Sequence, residues 1–98
     1  MIDEHALNAF ISQVDRLLWE QWDPIGCGVP KDEYTSYARV VADKAARGET
    51  AEQIIDYLYW AESYNMGLTC TLEGVRQRTT GIVDTILDMA AMQFRTKN

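Results

Sequence analysis

The sequence predicts an all-α protein, a small four-helix bundle with an inserted WDPIG loop between helices 1 and 2. Apolar residues recur at three- and four-residue spacing in four stretches, and helix caps and stops fall between them. No stretch alternates apolar and polar residues as a half-buried strand would. The 98 residues support one domain with one core, residues 1–98, burying somewhat above ~60% of the unfolded-state surface.

The first helix is expected from Asp3 to Trp22, where Leu7, Phe10, Ile11, Val14, Leu17, Leu18 and Trp22 form an apolar stripe. Asp23-Pro24 should end it, because a residue before proline is pushed out of the helical region. A second helix opens near Pro30, with Asp32 and Glu33 complementing the dipole and Tyr34, Tyr37, Ala38, Val41 and Ala45 facing inward. Gly48 supplies a left-handed cap, and Thr50 with Gln53 has the spacing of a capping box. These two signals predict that helices two and three form an antiparallel hairpin with a very short turn. Helix three directs Ala51, Ile54, Ile55, Leu58 and Met66 inward and stops at Gly67, with Leu68 completing a Schellman end. Helix four begins around Thr69 to Leu72 and runs to about Phe94 along Leu72, Val75, Ile82, Val83, Ile86, Ala90 and Phe94. Gly74 and Gly81 weaken its first half.

Composition narrows the function classes. A 47% hydrophobic and 24% charged chain is ordinary for a folded protein. Its net charge of −6 opposes phosphate neutralisation, so no nucleic-acid partner is expected. No apolar run approaches ~18 residues, so no membrane partner is expected either. The acidic start "MIDEHALNAF" is unlike a signal peptide, and the chain reads as a cytoplasmic bacterial-type protein. Cys27 and Cys70 are expected as free thiols; whether they approach each other is open. A single histidine, no metal-ligand spacing and no glycine-rich phosphate loop leave no catalytic, cofactor-binding or metal residue to name. The expectation is therefore a protein without enzymatic activity and without a cofactor.

Glu62 breaks the pattern. Leu58, Glu62 and Met66 lie one above another beside Ile55, so a carboxylate is aimed along the apolar face of helix three. Burying it unpaired would cost several kcal/mol, so something must answer it. One reading is a pocket acid with a raised pKa. The other is an acceptor for otherwise unsatisfied groups. Candidate donors are the backbone of Asp23, Pro24, Ile25 and Gly26, an indole N–H of Trp19 or Trp22, and Arg76 from the margin of helix four. On that second reading the WDPIG loop is a plug held by Glu62, with Ile25 as its apolar anchor.

A second group stands on the opposite side of helix three. Tyr57, Trp60 and Tyr64 neighbour one another at three- and four-residue spacing. They form either a protein-binding strip, given the weight of Trp and Tyr in interfaces, or a face packed on helix one or four. Residues 51–70 carry Glu52, Asp56 and Glu62 and no Lys or Arg, which suits either a merely soluble surface or a basic partner protein.

The segments "LWEQWDPIGCG", "PKDEYTSYARVV" and "AESYNMGL" together resemble a family of short bacterial all-helical proteins of unknown function. Its pattern runs W-D-P-I-G, D-E-Y, I-E and M-G-L, and the likeness covers roughly residues 17–68. Thr35 stands where that pattern has Asp, and Ala46-Arg47 where Leu-Leu is usual. Glu62 and Met66-Gly67 match, so the resemblance implies an α-helical fold in which Glu62 is shared architecture. It implies no activity. The function expected is a non-enzymatic helical interaction module, for instance an immunity-type protein, engaging a basic protein or a second copy of itself. The alternative is a small-ligand pocket or minimal enzyme centred on Glu62.

Overall fold

The computed structural model describes residues 3–22, 31–65, 67 and 71–94. Four α-helices come in order: α1 Glu4–Gln21, α2 Lys31–Ala46, α3 Ala51–Trp60 and α4 Leu72–Phe94. A π-helical turn, Ala61–Asn65, continues α3 directly. No strand occurs among the described residues, and none of their helices is long and apolar enough to cross a membrane. The all-α bundle anticipated from the spacing is what forms.

Local chemistry sets the boundaries. Asp3 caps α1 by accepting from the His5 N–H at 3.3 Å, and the helix closes at Trp22, whose N–H donates to the Leu18 carbonyl at 2.9 Å. Trp22 itself is extended (φ −103°, ψ 91°), so the chain has left the helix at this residue. The far end of α2 is a Schellman motif: Gly48 N–H donates to Ala45 C=O at 3.1 Å and Glu49 N–H to Lys44 C=O at 3.0 Å. Gly48 holds φ at +86°, where a side chain would be strained. Two residues later Thr50 and Gln53 form the reciprocal capping box that starts α3. The two signals read from "GETAEQ" thus account for one very tight connection.

Phe10, Ile11, Val14, Leu18 and Trp22 of α1 meet Tyr37, Ala38, Val41, Ala42 and Ala45 of α2 in a single core. Ile54, Ile55 and Leu58 of α3 and Val75, Ile82, Val83, Ile86 and Ala90 of α4 complete it. Leu7, Leu17, Ala51, Leu72 and Phe94 are only partly buried at its margins. Thr79, absent from the expected stripe, is fully buried and donates its hydroxyl to the Val75 carbonyl at 2.7 Å. It lies between Val75 and Val83 at four-residue spacing, so an apolar position is filled by a hydroxyl that finds its own acceptor.

The third helix and its junction with the fourth differ from the sequence reading. The spacing predicts an unbroken helix three to Gly67, but its α-helical part stops at Trp60 and a π turn carries Glu62. The start of α4 ties to both ends of this segment at once. Arg76 and Arg78, two residues apart and so on opposite flanks of α4, reach Glu52 and Glu62 respectively. Those carboxylates are ten residues apart, or about 15 Å along a helix. Gly67 does hold φ at +73°, as a helix stop requires. Pro30, Met66, Leu68, Cys27 and Cys70 lie outside the described residues.

Candidate functional site

The π turn is where three elements converge on one side chain. Glu62 is 1% exposed. Its Oε2 accepts from Trp22 Nε1 at 2.7 Å and from Arg78 Nη1 at 3.3 Å, and its Oε1 accepts from Arg78 Nη2 at 2.7 Å. The arginine thus grips the carboxylate with two nitrogens, a fork geometry that ammonium groups cannot reproduce. Trp22 is buried against the core, while the Arg78 side chain is 47% exposed. The negative charge is therefore sealed on the inside by an indole and on the outside by a half-hydrated guanidinium.

The sequence identifies the acid and several candidate donors, and the structure sorts them. Trp22 lies one turn beyond buried Leu18 and so continues the inner stripe, whereas Trp19 is 100° round the helix from Leu18 and stays 43% exposed. Trp19 instead lines a shallow groove with Ser12, Asp15, Arg16 and Glu20. Arg76 does not reach Glu62. It pairs with Glu52 at 2.7 Å and Glu73 at 2.6 Å on the other flank of α4. Its hydrogen bond to Glu52 raises the guanidinium pKa and lowers that of the Glu52 carboxyl. At 100° per residue Arg78 stands about 40° from Ile82 on one margin of the stripe and Arg76 about 20° from Val83 on the other, so spacing alone does not choose Arg78. Asp23, Pro24, Ile25 and Gly26 lie outside the described residues, and so does the plug they would form.

Nothing in the local sequence "AESYN" calls for a π turn. The geometry shows how it is accommodated: Ala61 N–H is shared between the Tyr57 and Leu58 carbonyls, and the Ser63 hydroxyl donates to the Tyr59 carbonyl at 2.7 Å. Widened turns of this kind occur often at functional positions.

From the same Trp22 a row of aromatic rings leads to the surface. Trp22 meets Tyr37 edge-on at 5.6 Å between ring centroids, and Tyr37 meets Tyr57 edge-on at 6.4 Å. Tyr57 then stacks on Trp60 at 5.7 Å, and Trp60 on Tyr64 at 6.4 Å. Within the strip, Tyr57 packs on Tyr37 of α2, whereas the packed alternative read from spacing named helix one or four. Burial, with Tyr37 adding to it, pushes the Tyr57 phenol up to about 12. At the outer end Trp60 is 44% exposed and Tyr64 80% exposed. Lys44 of α2 places its Nζ 5.8 Å from the centre of the Tyr57 ring.

Fold and site together define a small helical bundle with a charge-locked core and an open aromatic ladder. No protein-family model matches this chain, and no curated protein and no solved structure does either.

Proposed function

We propose that the protein is a non-enzymatic helical interaction module that docks a protein partner on the Tyr57–Trp60–Tyr64 face. One observation carries this reading: two stacked rings stand open to solvent, Trp60 at 44% and Tyr64 at 80% exposure, at the end of a row otherwise packed into the core. Holding them stacked lowers the entropy lost when a partner covers them, and buried aromatics dominate interface energetics. The net charge of −6 favours a basic partner over nucleic acid and over a second copy of the same acidic chain. A small acidic bundle that covers a toxin, in the manner of an immunity protein, is the specific version this charge suits. Glu62 fits the same picture, because both of its oxygens already hold donors inside the protein. That satisfaction supports a structural acid rather than a pocket acid.

The test is affinity capture from the encoding organism with the natural chain and with a Trp60→Ala/Tyr64→Ala variant. Mass spectrometry and sedimentation read the complex, and circular dichroism reads the fold. The partner should be lost from a variant that keeps its helix content, at a cost of roughly 30-fold or more in affinity for a hot-spot pair. A folded variant that captures the same partner equally well refutes the proposal. Strip-dependent self-association with no other partner would replace the basic protein with a homodimer.

A further inference from the structure

We infer that the outer end of the aromatic ladder is a capture site for arginine side chains of a basic partner segment, their guanidinium groups lying against the exposed parts of Trp60 and Tyr64. The inference rests on the interaction-module reading and adds the chemistry that the partner must bring.

Two independent observations carry it. The first is that a cation of the chain itself stands over the inner ring of this stack, with Glu49 pairing it at 3.2 Å. Lys44 Nζ lies 5.8 Å from the Tyr57 ring centre, within the range at which a cation is attracted by the ring quadrupole. Tyr57, Trp60 and Tyr64 stack nearly parallel in pairs, with interplanar angles of 25° and 30°. The exposed parts of Trp60 and Tyr64 extend this stack outward, and Trp is the strongest of the aromatic acceptors.

The second observation is the charge beside the rings. The described residues of α3 and the π turn carry Glu52, Asp56 and Glu62, and no Lys or Arg. Glu52 is taken by Arg76 and Glu62 by Arg78. Asp56 is exposed, stands one turn before Trp60, and has no cation partner among the described residues. A carboxylate one turn from an open indole offers a cation both a ring face and a counter-charge. Arginine suits this pair better than lysine, because its planar group stacks on a ring while its edge still donates to a carboxylate. The same charges argue against a second copy of the chain, which would bring its own Asp56 and Glu52 to the face.

The probe is a short fluorescein-labelled peptide repeating arginine and glycine, with counterparts in which citrulline or lysine replaces arginine. Citrulline keeps the planar shape and removes the charge. Binding is read by anisotropy at low salt, and the three indole N–H signals are followed by NMR. The arginine peptide should bind and shift the Trp60 signal while leaving that of buried Trp22 in place. Trp60→Leu and the citrulline peptide should each weaken binding roughly 3- to 30-fold, the range of a surface to desolvated cation–π contact. Asp56→Asn should weaken it less, and lysine should rank between arginine and citrulline. Equal binding of the citrulline peptide overturns cation capture while leaving an apolar interface at the strip intact. Arginine binding that Trp60→Leu does not change overturns it too, because attraction to an acidic chain as a whole would then suffice. An arginine peptide that does not bind at all has the same consequence.

Discussion

Removing Arg78 should cost more than removing Arg78 and Glu62 together. With Arg78→Met, Glu62 stays buried at 1% exposure and keeps only the Trp22 indole, leaving Oε1 without a described donor. Breaking a buried ion pair from one side costs about 3–5 kcal/mol. The Arg78 side chain is 47% exposed, so water can partly replace it, and the lower end, about 3 kcal/mol, is expected. Glu62→Leu takes away the carboxylate to which the buried Trp22 indole donates, which costs about 1–3 kcal/mol, so about 2 is expected. Glu62→Gln keeps an acceptor for the indole and should cost about 1. In the double variant Glu62→Leu/Arg78→Met the buried charge is gone with its partner, and the lost indole acceptor sets the cost, so the loss returns to about 2 kcal/mol rather than the additive sum of about 5. The assay is urea unfolding monitored by circular dichroism, with melting temperature as a check. One kcal/mol corresponds to about 4–8 °C in a chain of this size. Additive losses in the double variant would refute the reasoning, since they would mean that the buried charge is not what Arg78 answers.

Local geometry sets two further outcomes. Gly48→Ala should destabilise by about 1–2 kcal/mol in the same unfolding assay, because φ of +86° forces a Cβ into the left-handed region; an unchanged midpoint would mean that the Schellman end is not needed. Tyr57 is a neutral acid whose folded pKa, about 12, exceeds its ordinary 10.0. Between those values the unfolded chain releases a proton that the folded chain keeps, so the stability Tyr57 supplies is full below pH 10 and falls toward pH 12. Tyr57→Phe should flatten the pH dependence of unfolding in that window, and identical slopes would contradict the burial argument.

Much of the fold was legible because its signals are local. The period of three and four, Gly48, and the Thr50–Gln53 box each act within about one helical turn. Glu62 was legible as an anomaly for the same reason, a carboxylate in register with Leu58. Its partners were not. Trp22 is 40 residues away and Arg78 16, and choosing them over Trp19 and Arg76 depends on how α1 and α4 meet the π turn.

The sequence by itself determined four helices, their caps, the inner stripes and the presence of an acid that needed an answer, because each rests on backbone geometry over a few residues. Only the tertiary structure decided that the start of α4 clasps both Glu52 and Glu62, that the chain widens at Ala61–Asn65, and that five aromatic rings line up from Trp22 to Tyr64. Those outcomes depend on which side chains from distant helices meet in space, and hydrophobic spacing leaves that open: it says which face turns inward, not what that face will find there.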